Sequence, residues 1–332
     1  MAGLGHLNTA VAAGLGLVLL TALSSSASPA GASSSGKARA ATSAVPCVGL
    51  TGSPDYSRIV IVMDENVSEA TLRTSPQAPY LHGLAAQCGS ESLMHAATHP
   101  SQANYMAATS GQATGVGVHT GNDNIFHQAQ VQGDSWKSYE ESMPQACAGN
   151  SGFYKSGHNP PFWYTDLRSP TNTCELNDLA LSPALDTDIA NDTLPVLSWI
   201  TPNACNDMHG QSGCPQPSSQ RIAVGDAWLS SLIPRLTAMS SYQAGHTLIV
   251  ITWDEGNGKE TNGTDCTDPK VYTTQGSCQI PTYVVSPYIS AGSTDSSDHN
   301  LYGLLADVQD ILGYPRLGRA VGQSSLRPGL GF

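Results

Sequence analysis

Charge is scarce in this chain of 332 residues, and basic charge scarcest: Asp, Glu, Lys and Arg make up 12%, with 14 Lys and Arg against 26 Asp and Glu. The formal net charge of −12 is spread along the chain. Without a basic stripe nothing offsets phosphate repulsion, which excludes nucleic acid as an expected partner. The eight cysteines contain no C-x-x-C pair, so the spacing of a zinc finger or a dithiol redox centre is missing. Long hydrophobic runs are missing as well. The apolar stretch Ala10 to Leu23 falls short of the roughly 20 residues that cross a bilayer, and stable membrane insertion is not expected.

What is present begins with that same stretch. Residues 1–30 carry no Lys, Arg, Asp or Glu, and small residues follow the apolar run at Ser25-Ser26-Ala27 and Ser28-Pro29-Ala30. This pattern predicts a signal peptide over 1–30, hence a secreted, extracellular protein. Residues 31–46 are mostly Ser, Ala and Gly, a flexible spacer, and a single folded domain is expected over 47–332. An even number of cysteines in a secreted chain favours disulfides over metal. Sequential pairing is the simplest arrangement, because Cys205 with Cys214 and Cys266 with Cys278 each close a short polar loop.

Apolar runs of strand length alternate with helix-like segments, predicting an α/β fold with a mostly parallel central sheet flanked by helices. The expected strands are Arg58 to Met63, Glu91 to Ala96, Leu194 to Ile200, Thr247 to Trp253 and Thr282 to Ser286. The expected helices are Pro79 to Ala86, Gln102 to Thr109, Trp136 to Met143, Arg221 to Met239 and Leu301 to Leu312. Residues 111–134 and 149–192, rich in Gly, Asn, Pro and His, read as loops over a pocket.

Polar residues cluster behind the strands, at the edge where parallel sheets bind ligands. Asp64-Glu65-Asn66 follows one strand, Asn206-Asp207-Met208-His209 trails a second, and Asp254-Glu255 follows a third. Glu65, Asn66, Asp254 and Glu255 offer oxygen donors and no sulfur, a set suited to a divalent metal cation, Mg²⁺, Ca²⁺, Mn²⁺ or iron, more than to a Cys-rich zinc site. Ser101 opens an expected helix and Asn104 follows three residues later on the same face. Two readings stand for Ser101: an N-cap, or a nucleophile toward phosphorus with Asn104 and the helix amides holding the phosphate oxygens. Asp207 and His209 can converge on one side of a pocket, and His299 is a further ligand or phosphate contact. His99 is a candidate orienting group beside Ser101. His82, His95, His119, His127, His158 and His246 receive no role.

The pieces Ile59 to Asn66, His99-Pro100-Ser101-Gln102-Ala103-Asn104-Tyr105, Thr201-Pro202-Asn203 with Asn206 to His209, Gly225 to Leu229, Thr252 to Gly256, Ser286-Pro287-Tyr288 and Leu312 to Gly318 span nearly the whole chain after Cys47. Together they resemble the secreted phosphoesterase family of bacterial acid phosphatases and phospholipases C, within the alkaline phosphatase-like superfamily. The resemblance implies a metal held by Glu65, Asn66, Ser101, Asp254 and Glu255. It also implies Ser101 as nucleophile, Asn104 on the phosphate, and Asp207, His209 and His299 in the other half of the site. One departure is visible: larger acid phosphatases of the family carry an adjacent Asp-His pair, whereas Met208 separates Asp207 from His209 here. The expected function is hydrolysis of small phosphate esters through a phosphoserine. The alternatives are a phosphodiesterase or phospholipase C acting on lipid headgroups, and an inactive secreted binding protein of the same fold.

Overall fold

The computed structural model describes residues 45–258 and 261–332. The expected signal peptide, 1–30, and most of the spacer lie outside the described residues.

Ten strands are found among them: β1 Arg58–Asp64, β2 Gly89–Glu91, β3 Met94–His95, β4 Trp136–Glu140, β5 Asp178–Ala180, β6 Leu197–Thr201, β7 Thr247–Trp253, β8 Thr282–Val285, β9 Thr294–Asp295 and β10 His299–Asn300. Eight form one sheet in the order β5-β4-β6-β1-β7-β8-β2-β9, and β10 pairs with β3 separately. In the large sheet only β8 runs against its neighbours, pairing antiparallel with β7 and β2, so the expected mostly parallel sheet is present. The central strands are apolar on both faces because helices cover both sides: β6 and β7 are buried along their whole length, and β1 from its second residue on. Each large aliphatic side chain sequestered there contributes about 1.5–3 kcal/mol.

The helices Pro79–Gln87, Ser101–Ser110 and Leu301–Leu312 lie where the sequence predicts them. The helix Ser218–Thr237 ends three residues beyond Pro234, and a short helix Ser240–Gln243 follows. Three expectations are corrected. Trp136 to Met143 is not a helix but strand β4, whose aromatic residues Trp136 and Tyr139 are buried beside β6. The expected strand Glu91 to Ala96 is broken: Gly89–Glu91 joins the large sheet and Met94–His95 pairs with β10. The supposed loops also carry structure, including the helices Ile125–Gln132 and Leu181–Asn191 and the edge strand β5.

All four disulfides follow sequential pairing: Cys47–Cys88, Cys147–Cys174, Cys205–Cys214 and Cys266–Cys278. No helix of the described residues is long and apolar enough to cross a membrane.

Candidate active site

β1 and β7 are parallel neighbours in register, Asp64 opposite Trp253, so the residues that follow each strand leave the sheet side by side. Asp254 donates its backbone N–H to the Asp64 carbonyl at 3.1 Å, and the Asn66 N–H reaches Asp254 Oδ1 at 3.1 Å. β6 flanks β1 on its other side, and the loop behind it returns Asp207, whose carbonyl accepts the Glu65 N–H at 2.9 Å. Three adjacent strands thus deliver Asp64, Glu65, Asp207, Asp254 and Glu255 to one edge, all buried.

Ser101 enters from the first turn of its helix. Pro100 occupies the cap position with no side-chain capping bond, and the Ser101 hydroxyl donates into the acidic group instead, to Glu65 Oε2 at 3.0 Å and Glu255 Oε1 at 3.3 Å. Of the two readings the sequence left open, the cap is therefore not used. Asn66 lies beside it, its Nδ2 donating to Glu65 Oε2 at 2.6 Å and to Ser101 Oγ at 3.3 Å. Asn66 and Met208 both take the left-handed backbone conformation, at φ 44° and 71°, a cost that folds accept where function needs an unusual side-chain direction. The turn at Met208 lets Asp207 Oδ1 accept the backbone N–H groups of His209 and Gly210. Two glycines permit this close packing. A Cβ on Gly225 would lie 2.4 Å from Met208 Cγ, and one on Gly256 would lie 2.6 Å from Ser68 Oγ.

These buried acids have no Lys or Arg ion pair among the described residues, and burial beside one another raises the proton affinity of Asp64, Glu65, Asp207 and Asp254. Burial and the charges of Asp254 and Asp207 hold the Glu65 carboxyl well above the usual range, and burial with Glu255 does the same to Asp254. Burial pushes Asp207 up to about 7. Buried oxygens lack any hydrogen-bond partner on Asp64, Glu65 (Oε1), Asp207 (Oδ2) and Asp254 (Oδ2). Such orphaned carboxylate oxygens, converging with a hydroxyl and an amide, fit a hard divalent cation. Asn66 presents Nδ2 inward, an orientation that exchanges with Oδ1 by turning the terminal amide.

The structure differs from the sequence reading at three residues. Asn104 faces the backbone, not the pocket: its Oδ1 accepts from Ala97 N and Thr98 N at 2.9 Å, and its Nδ2 donates to the Thr98 carbonyl at 2.8 Å. It clamps the loop that positions Ser101. His299 lies 3.2 Å from Glu91 and 4.0 Å from Asp295, in an acidic group sharing no hydrogen bond or ion pair with the Glu65 cluster among the described residues. The reason is topological: β8 intervenes between β7 and β2, setting Glu91 roughly 10 Å along the edge. His158, given no role by the sequence, comes into the site. Its Nε2 is 3.3 Å from Glu65 Oε1 and its Nδ1 3.8 Å from Asp207 Oδ2, with the ring stacked on Tyr105. Burial, with His209 and Lys155 nearby, pulls its pKa down to about 3. His99 hydrogen-bonds the Glu255 carboxylate, the orienting place the sequence suggested. Glu141 was missed too; it fixes the Asp207 loop by accepting from Asn203 N and Asn206 Nδ2 at 2.9 Å. The available signal was Glu140-Glu141 at the end of Trp136-Lys137-Ser138-Tyr139, an acidic ending like those of β1 and β7.

The sequence model of the Phosphoesterase family matches residues 74–315. The chain belongs to the phosphoesterase family. This phosphoesterase is 29% identical over 288 residues to a phosphatidylinositol-3-phosphatase of Mycobacterium tuberculosis, covering 83% of the chain and 84% of that protein. It is 29% identical over 247 residues to an acid phosphatase of Aspergillus fumigatus, covering 68% of the chain and 48% of the relative. It spans about half the length of that fungal enzyme and of a probable acid phosphatase of Kluyveromyces lactis, of which 53% is covered. Among solved structures, a protein of the alkaline phosphatase superfamily from Vibrio parahaemolyticus superposes with a TM-score of 0.52 at 14% identity, covering 85% of this chain and 73% of that one. Murine ectonucleotide pyrophosphatase/phosphodiesterase 5 gives 0.52 at 10% identity, covering 83% and 100%. These likenesses confirm the alkaline phosphatase-like fold. By family the phosphoesterase is a phosphoric ester hydrolase.

Proposed function

We propose that this phosphoesterase is an exported, metal-dependent phosphomonoesterase whose catalytic domain occupies residues 47–332, with Ser101 as nucleophile. The observation that carries the reading is the Ser101 hydroxyl held between Glu65 and Glu255 in a group of buried carboxylates. Glu65, Asn66, Asp254 and Glu255, with Ser101 Oγ, would hold a divalent cation. When bound it supplies positive charge that lowers the pKa of the attacking hydroxyl and offsets charge on the phosphoryl oxygens.

The chain's own groups handle position and protons. Ser101 Oγ attacks phosphorus; the Oγ–P bond forms as the P–O bond to the alcohol breaks. The Ser101 proton leaves toward Glu65, which already accepts its hydrogen bond, and passes by His158, 3.3 Å from the other Glu65 oxygen, to the departing alcohol. Water then attacks the phosphoserine, its OH staying on phosphorus and its remaining proton returning to Ser101. Asp207 and Glu141 orient the loop that carries His209, and Asn104 and His99 fix the turn before Ser101. Four disulfides support export. Named relatives that are phosphatases support monoester over diester cleavage.

The test is a panel of monoesters and diesters on purified protein loaded with Mg²⁺, Ca²⁺, Mn²⁺ or Zn²⁺, with elemental analysis of the same sample. Monoester turnover that chelation removes and S101A lacks is expected. Full turnover in S101A refutes the nucleophile.

A further inference from the structure

A cavity of about 260 Å³ begins at Asn66 and His209 and extends along the start of the Ser218–Thr237 helix, where Ser218 and Arg221 line it; Val67 and Ile222 give it an apolar wall. Asn66, which lines this space, also reaches the Ser101 site, its Nδ2 lying 3.3 Å from Ser101 Oγ. Arg221 distinguishes it. Among the described residues Arg221, like Lys155, Arg168, Lys270 and Arg327, has no carboxylate within ion-pair distance, and of these five it is the one that lines this cavity. One of its terminal nitrogens donates to the His209 carbonyl, and its stem packs on Gly210, where a Cβ would meet Arg221 Cδ at 2.3 Å. Its buried Nε has no partner. The guanidinium is therefore anchored by its stem and one N–H; it lies close enough to Asp207 to favour that carboxylate's charge but makes no direct ion pair with it. Beside so many acids an anion on the far side of a substrate would be repelled unless a fixed cation received it.

We propose that this cavity is the leaving-group subsite and that Arg221 selects phosphate monoesters whose alcohol carries a second anionic group, phosphate or carboxylate. The inference rests on the phosphomonoesterase reading of the Ser101 site. It identifies Arg221 as a specificity-determining residue.

The experiment compares phenyl phosphate with 2-, 3- and 4-carboxyphenyl phosphate on the metal-loaded protein and on R221M and R221K, with calorimetric binding of the same compounds to S101A and S101A/R221M. Met keeps the stem that covers Gly210. In the wild type at least one carboxylated isomer exceeds phenyl phosphate in kcat/KM by about tenfold, the usual worth of one charge-assisted pair. R221M abolishes that preference while leaving phenyl phosphate turnover in place, and R221K restores part of it. A wild type without preference for any isomer, or a preference that survives in R221M, overturns the subsite. Failure of the underlying reading looks different: no compound is hydrolysed at all. The calorimetric arm then decides the subsite alone, through tighter binding of a carboxylated isomer that R221M removes.

Discussion

Replacing Asn104 with Ala separates two roles that the sequence could not distinguish. A residue that holds phosphate should lose substrate affinity when truncated and keep its stability. The clamp seen here predicts the reverse. Asn104 is fully buried and makes three hydrogen bonds, to Ala97 N, Thr98 N and Thr98 O, on backbone that is itself buried. Leaving a buried polar group without a partner costs about 1–3 kcal/mol, and partial rehydration keeps three such losses from adding in full, so N104A should lose about 3–5 kcal/mol. Measured against a total stability of about 5–15 kcal/mol for a folded domain, that is a large fraction. The assay is urea unfolding with disulfides intact, followed by far-UV circular dichroism, where such a loss moves the midpoint by about 1 M or more. N104D sharpens the test. It keeps the acceptor for both N–H groups but sets a carboxylate oxygen against the Thr98 carbonyl, so it should be destabilised at neutral pH and partly recover on acidification. Stability of N104A within about 0.5 kcal/mol of wild type, with a raised KM, would refute the clamp.

S101A should reduce kcat by roughly 10³-fold or more while remaining folded, read by steady-state kinetics beside thermal melting. H158Q should lower kcat by roughly 10²-fold, the scale of a lost proton relay; unchanged kcat removes His158 from the mechanism. H299Q should leave kcat/KM at the wild-type level, because His299 faces Glu91 and Asp295 instead of the Ser101 group. Chelation should lower both activity and melting temperature, since it exposes the buried acids to one another, and restored Mg²⁺, Mn²⁺, Ca²⁺ or Zn²⁺ should recover both. Burial pushes Glu91 up to about 7 and Asp307 up to about 6. A carboxyl raised in the folded state favours folding while protonated, and that contribution is lost as pH climbs through the raised value. Melting temperature should therefore fall between pH 5 and 7, with Glu91 contributing at most about 3 kcal/mol, and E91Q should flatten the fall. An equal slope in E91Q disproves the assignment.

Where local pattern and tertiary role coincide, the sequence was enough. β1 and β7 are read from their apolar runs because a strand buried on both faces leaves no polar alternation, and the acids behind them stand out by contrast. The same contrast located Asp207 and, with the helix start at Ser101, the centre of the site. β4 escaped because Trp136-Lys137-Ser138-Tyr139-Glu140 is short and polar at intervals, and its strand state comes from pairing with β6, a partner some sixty residues away. His158 escaped for a related reason: it lies on a short turn at 156–158, and only the packing of that turn against Tyr105 brings its ring to Glu65 and Asp207.

By itself, then, the amino-acid order determined the sheet's central strands, the family and most of the acids that gather behind those strands, since each is written in neighbouring residues or short spacings, while sequential cysteine pairing was only the simplest arrangement it offered. Which polar groups face the pocket was decided only by the folded chain. Asn104 turns to the backbone, His299 pairs with Glu91 of β2, which β8 separates from β7, and His158 and Arg221 arrive from loops and helices remote in sequence. Side-chain direction is set by long-range packing and by the hydrogen bonds buried groups must find, and neither is encoded in local spacing.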